Sequence, residues 1–185
     1  TNLCELGDVF ALQQEIATSV ATALQARLRG NAAAGPGVPA DPQAYEHALR
    51  GQFFLGRRAR GDLARARRSY RDALALDPRY ARAWSGLASA AYLQTIEGEV
   101  AHAAGLAELR DAAQRAIELD PRNAEGHVRM AAYHALVGER EIARRHLADG
   151  ARVDPDNPLV LGIAAGFAAD SGRPEEAVAL QRRAV

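Results

Sequence analysis

The dipeptide Asp-Pro recurs at a near-fixed interval, and each time it closes one amphipathic run and opens another. It stands at Asp77-Pro78 in "ALALDPRYARAW", at Asp120-Pro121 in "AIELDPRNAEGH" and at Asp154-Pro155 in "GARVDPDNPLVL". Pro121 and Pro155 are 34 residues apart; Pro78 and Pro121 are 43 apart, which is 34 with a nine-residue insertion. Self-similarity at such a period marks a repeat architecture, in which each unit buries its apolar face only by stacking on its neighbours. Asp suits the first position of a type I turn and Pro pre-sets φ at the second, so the helix before each dipeptide must stop there. Asn123 and Asn157 then offer N-caps to the next helix, and Pro158 sits in a first turn, where its missing N–H costs little. Tyr80, at the equivalent place in the first copy, is a poor cap.

This punctuation predicts four helical pairs: residues 43–55 with 62–76, 81–93 with 103–119, 124–137 with 139–153, and 158–170 with 174 onward. Gly138 and Gly172 stand where a helix end wants a left-handed residue. The interior of the unit repeats as well. Six residues after each Pro come Trp84, His127 and Leu161; nine after come Leu87, Met130 and Ala164; ten after come Ala88, Ala131 and Ala165. Small residues recur before each Pro too, with Ala66 and Ala143 twelve before (Leu109 in the middle copy) and Ala73, Ala116 and Gly150 five before. Small side chains there let helix backbones approach closely.

Ahead of the pairs, Val9, Leu12, Ile16, Val20, Leu24 and Leu28 fall on one helical face, with Asp8 as cap and Gly30 as stop. Residues 31–42, "NAAAGPGVPADP", break every periodicity and read as a linker. The expected layout is an amphipathic helix over 1–30, a linker over 31–42 and a repeat array over 43–185, with units 43–78, 79–121, 122–155 and an unfinished 156–185. The chain opens at Thr1 and stops at Val185 inside a helical pattern, which reads as a piece of a longer protein. Aromatics are only 5% while apolar residues reach 48%, with alanine dominant, a composition suited to close-packed helices.

The set of motifs "AWSGLA" (83–88), "ARARRSYRDALALDP" (64–78) and "AQRAIELDP" (113–121) resembles the tetratricopeptide repeat, a 34-residue helix-turn-helix unit. The resemblance covers residues 44–185 and departs from the pattern at insertions around 57–61 and 95–105 and at Gly150. It implies an all-α, antiparallel helix-pair solenoid winding as a right-handed superhelix, and a function as a protein-binding scaffold. "DVFALQQEIATSVATAL" (8–24) followed by "AYEHALRGQFFL" (44–55) further resembles the region joining an upstream domain to the repeats in bacterial adenylate cyclase-associated and transcription-regulator-associated tetratricopeptide proteins.

In that family the first helix of each pair lines a concave groove that receives a peptide. Carried over, this nominates Tyr45 and Gln52, then Arg82, Ser85, Ser89 and Tyr92, then Glu125, Val128, Arg129 and Ala132. The Lys and Asn set with which some relatives clamp a C-terminal carboxylate is missing here.

Catalysis finds little support in the chain. There is no His-Glu-x-x-His, no Gly-x-Ser-x-Gly and no phosphate-cradling glycine loop, so no enzyme, small-molecule substrate or cofactor is expected. His127 and His134 lie seven apart on one helix face and His146 follows on the next helix, the makings of a three-His metal site; the simpler reading puts His127 in the packing slot of Trp84, with the other two partly exposed and no metal bound. Seven arginines crowd residues 57–71, Arg57, Arg58, Arg60, Arg65, Arg67, Arg68 and Arg71, against Asp62 alone. They suit phosphate or an acidic partner. Without stacking aromatics or a known module the patch reads better as a solvated face than as a nucleic-acid site. Formal net charge is zero, although all 23 basic residues are arginine, so the whole-molecule field exerts no general pull on nucleic acid or anionic membrane. One cysteine, Cys4, excludes an intrachain disulfide. With neither an apolar run of about 18 residues nor a leader pattern, no membrane association and a cytoplasmic setting are expected. The stripe over 8–29 is buried either on the first repeat or against a second copy, which would make a homodimer; the apolar end of the last helix offers another surface for self-association.

Overall fold

The computed structural model describes residues 39–170 and 172–184. Among them are eight α-helices and no strand: α1 Pro42–Arg57, α2 Asp62–Leu76, α3 Ala81–Ile96, α4 His102–Leu119, α5 Ala124–Leu136, α6 Arg140–Val153, α7 Pro158–Asp170 and α8 Pro174–Arg183. They pack as the four expected pairs, each stacked on the next, so the described residues form an all-α helical repeat. The leading amphipathic helix and most of the linker lie outside the described residues.

The Asp-Pro turns close by backbone bonds. The Tyr80, Asn123 and Asn157 N–H groups donate to the Asp77, Asp120 and Asp154 carbonyls at 3.2, 2.9 and 3.3 Å. The Asp77 and Asp120 carboxylates also accept from the Arg79 and Arg122 amides at 2.9 and 3.0 Å. In the third copy Asp154 instead accepts from the Asn157 side chain at 3.1 Å. Each Asp therefore fixes the turn twice, through its carbonyl and its side chain. Asn123 Oδ1 caps α5 by accepting from the Gly126 N–H at 2.8 Å, and Asn157 Oδ1 accepts from the Leu159 N–H at 2.9 Å, whereas Tyr80 supplies no cap. Gly138 and Gly172 adopt φ of 87° and 72° at the turns within the third and fourth pairs.

Two boundaries differ from the sequence reading. Asp41 Oδ1 accepts from the Gln43 N–H at 2.8 Å and Pro42 occupies the first turn, so the last linker residue belongs to α1. The insertion in the second unit does not form a long loop. It is absorbed as helix, since α3 has 16 residues and α4 has 18 while their third-pair counterparts have 13 and 14. Helix extension satisfies backbone groups internally that a loop would leave to solvent. Gly105, inside the inserted stretch, is where α4 crosses α3: a Cβ there would lie 2.0 Å from Thr95 Oγ1.

The core is alanine-rich around a few large side chains. Ala66, Ala73, Ala116 and Ala143 are wholly buried at the recurring small positions. Tyr70 lies between α1 and α3, against Gly51 and Gly86; a Cβ on these would come within 2.8 and 2.3 Å of its ring. The slot six residues after Pro carries a shared bond. Trp84 Nε1 donates to the Pro78 carbonyl at 2.9 Å, and His127 Nε2 sits 3.1 Å from the Pro121 carbonyl. Leu161 fills the slot without that bond. At the other end, α8 buries none of its residues fully, and Val178 is half exposed.

First helices contact one another along the array, α1 with α3, α3 with α5 and α5 with α7, while among the described residues the second helices have no comparable mutual packing. The first helices therefore line the inner face of the stack.

Candidate binding groove

Three zones occupy this inner face. At the first, Tyr45 and Gln52 of α1, Arg82 of α3 and Glu125 of α5 surround a cavity of about 160 Å³ floored by Tyr70 and Tyr80. Burial pushes both phenols up from their ordinary pKa, so each stays neutral.

The second zone is a polar relay. Ser89 Oγ donates to Glu125 Oε1 at 2.6 Å and accepts from Arg129 Nε at 2.7 Å, while Ser85 Oγ lies 3.3 Å from Glu125 Oε2. Glu125 and Arg129 are one helical turn apart on α5, and a serine from α3 bridges their charges. The Arg129 guanidinium also lies over the Tyr92 ring, 4.9 Å from its centroid, and the residue is 5% exposed. Desolvation lowers the Arg129 pKa and the Glu125 charge opposes that shift.

The third zone is an apolar cavity of about 470 Å³ between α5 and α7, lined by Tyr92, Ala132, Leu136, Ile163 and Phe167, with Arg140 and Arg144 at its rim. The sequence reading missed this wall. Ile163 stands eight residues after Pro155 as Arg129 does after Pro121, and Gly166 matches Ala132, so the same phase one unit further would have found both.

The nominated residues are thus distributed unequally. Tyr45, Gln52 and Arg82 meet Glu125 at one cavity, Tyr92 and Ala132 line the other, and Ser85, Ser89 and Arg129 lie buried between them. Val128 is a correction, because it has no exposed surface and packs in a core cluster with Ala124 and Val160. Its Cγ2 would lie 3.3 Å from a Cβ on Gly150, so the small residue at that repeat position draws Val128 inward.

A search of solved structures returns tetratricopeptide-repeat (TPR) proteins among its matches. A thermophilic TPR protein of Thermus thermophilus matches with a TM-score of 0.60 at 21% identity, over 96% of this chain and 84% of that one. MamA matches with 0.52 at 22%, over 78% of each chain, and the TPR2B domain of yeast Sti1, solved in complex with pHsp70, matches with 0.51 at 22%, over 78% of this chain and 97% of that one. The chain has the tetratricopeptide-repeat fold. No family model and no curated protein matches this chain by sequence.

Elsewhere in the array, the arginine-rich stretch is largely paired. Arg57 grips Asp62 through two bonds of 2.7 Å and Arg65 adds a third contact, Arg58 meets Glu97, and Arg67 and Arg71 both reach Glu108. Among the described residues of this stretch, Arg60 and Arg68 stand without an ion pair, so the patch is closer to neutral than its sequence suggests. Asp62 is wholly inaccessible, and the Arg57 hydrogen bonds, helped by the Ala59 amide, hold its carboxyl down to about 2 against the burial that opposes them.

As the simpler sequence reading has it, His127 fills the packing slot and His134 and His146 are partly exposed; the fold also brings the three rings together. The His127 and His146 rings are 5.8 Å apart, and His134 stacks on His146 at 5.4 Å. No helix of the described residues is long and apolar enough to cross a membrane.

Proposed function

We propose that this array is a non-catalytic scaffold within a larger bacterial regulatory protein, holding a segment of a partner protein along the face built by α1, α3, α5 and α7. The observation that carries the reading is the continuity of that face: two cavities joined by the Ser85, Ser89, Glu125 and Arg129 relay, whose charges are already satisfied. A groove with internally paired polar groups receives a ligand without leaving buried charges unpaired. The 470 Å³ cavity suits an apolar anchor, and exposed Arg140 at its rim suits an acidic neighbour, whereas Arg144 is already paired with Glu141 and Asp170 also lines the cavity. The yeast Sti1 domain solved with pHsp70 supports the idea that such a fold accepts a partner segment. The regulatory setting is supported by the resemblance of residues 8–55 to the corresponding stretch of bacterial regulators.

A displayed library of random peptides selected on the purified chain tests the reading. Selected peptides are expected to pair an apolar anchor with acidic neighbours, and to lose binding to Arg82→Glu and Arg140→Glu while retaining it for Arg115→Glu on α4. Peptides that bind both groove variants as well as the parent chain would dismiss it.

A further inference from the structure

The histidine cluster between α5 and α6 has the composition and tautomer of a metal site. One donor atom from each of His127, His146 and Asp149 lies within 4.8 Å of the other two. His146 and Asp149 are three apart on α6 and so share a face, and His127 approaches from α5.

The tautomer follows from the repeat. A carbonyl only accepts, so the 3.1 Å contact of His127 Nε2 with the Pro121 carbonyl requires a proton on Nε2, just as Trp84 Nε1–H serves Pro78 one unit earlier. A neutral ring then carries a bare lone pair on Nδ1. That Nδ1 is buried without a partner, in a residue only 9% exposed, and His146 Nδ1 is likewise buried and unpartnered. An imidazole whose second nitrogen donates to a backbone carbonyl is the usual state of a metal-ligating histidine. Two orphaned nitrogens on facing helices are a costly arrangement for packing alone.

We infer that His127, His146 and Asp149 bind one divalent late first-row ion of the zinc type, with water in the fourth position. Two imidazoles and one carboxylate suit that class, and ligands of a tetrahedral ion at 2.0–2.1 Å stand about 3.3 Å apart, so binding draws these donors closer by side-chain rotation. Burial, then the neighbouring His134 and His127, lower the His146 pKa, and Asp149 opposes them. Facing charges are few. Asp149 is paired with Arg152 at 2.9 Å and must turn from it, and His134 Nδ1 is held 2.6 Å from Glu139 Oε2, beside His146. The ion would pin α5 to α6, none of its three ligands lines either groove cavity, and the inference does not depend on the groove having a ligand.

The test uses the untagged full chain carrying Cys4→Ser, stripped with chelator and titrated with zinc alone by calorimetry, and with Co(II) by absorption. One ion per chain is expected, with the intense visible bands of four-coordinate Co(II). His146→Gln and His127→Leu are each expected to weaken zinc binding by about ten-fold or more, while His102→Ala leaves it unchanged. His127→Leu places in the slot the residue its counterpart Leu161 already supplies, and helix content by circular dichroism checks that it folds. Should it fail to fold, the half-buried His146 carries the test alone. Absence of one-to-one binding, or binding that His146→Gln leaves intact, overturns the assignment.

Discussion

The first two helical pairs and the last two are built on the same period, yet they solve the packing problem differently. In the front half Tyr70 fills the space between two glycines, and its cluster runs from Ala44 through Met130. In the rear half the buried cluster is Ala124, Val128 and Val160, backed by half-buried Leu147, Leu159 and Ile163. Gly162 and Gly166 on α7 have no atom within 4 Å of where a Cβ would stand, unlike Gly51 and Gly86. Around Tyr70 the front half is tight, while the glycines of α7 have room beside them. A repeat thus sets where helices turn, while the side chains at its phased positions decide whether the space between them is filled, left as a cavity or lined with histidines.

The largest effect is expected from Tyr70→Ala, which removes the aromatic wedge of the front half and should destabilise by roughly 3–5 kcal/mol in urea denaturation. An equal loss from Phe167→Ala on α7 would erase the contrast between the halves. Next comes the seam joining them. Glu125→Ala removes the negative charge that faces buried Arg129 through the Ser89 hydroxyl and should cost roughly 2–3 kcal/mol, against less for the exposed Arg82→Ala. Gly86→Ala pushes a methyl into the Tyr70 ring and should lower stability by about 1–3 kcal/mol. Gly166→Ala, a helix-interior glycine with open space, should raise stability by about 0.5–1 kcal/mol through helix propensity alone. Thermal melts of the two variants side by side sharpen the comparison most directly, because opposite signs are expected from one substitution.

The subtlest outcome is in acid. The Asp62 carboxyl is held at about 2 by Arg57, below its unfolded value near 3.9. A depressed folded pKa means the unfolded chain takes up the proton first, so the stabilisation is complete above about 4 and is lost as pH falls toward 2. Acid unfolding of the parent chain should steepen in that window, and Asp62→Asn should remove this component of the slope. Identical acid profiles would mean that the buried pair at the α1–α2 turn does not govern the front half.

Helix order and turn positions were legible from the residues, since Asp-Pro, Asn caps and Gly stops act within four residues of one another along the chain. Gly138, Gly172, Asn123 and Asn157 behave as their local chemistry requires. The inner face was legible only in part. Val128 has the phase of a groove residue, yet its burial depends on Gly150, over twenty positions away on the facing helix. Arg129 reads in sequence as a groove-lining cation, and only the approach of Ser89 and Tyr92 from α3 turns it into a buried, hydrogen-bonded one.

The sequence alone determined that the chain is a stack of helix pairs and where each pair turns, because backbone dihedrals and caps answer to neighbours a few residues away. Tertiary structure decided which arginines stay unpaired, that the long insertion became helix, and that His127, His146 and Asp149 converge, because charge pairing and ligand geometry depend on distances between helices. Those distances are set by side-chain volume across the interface, which no local pattern records.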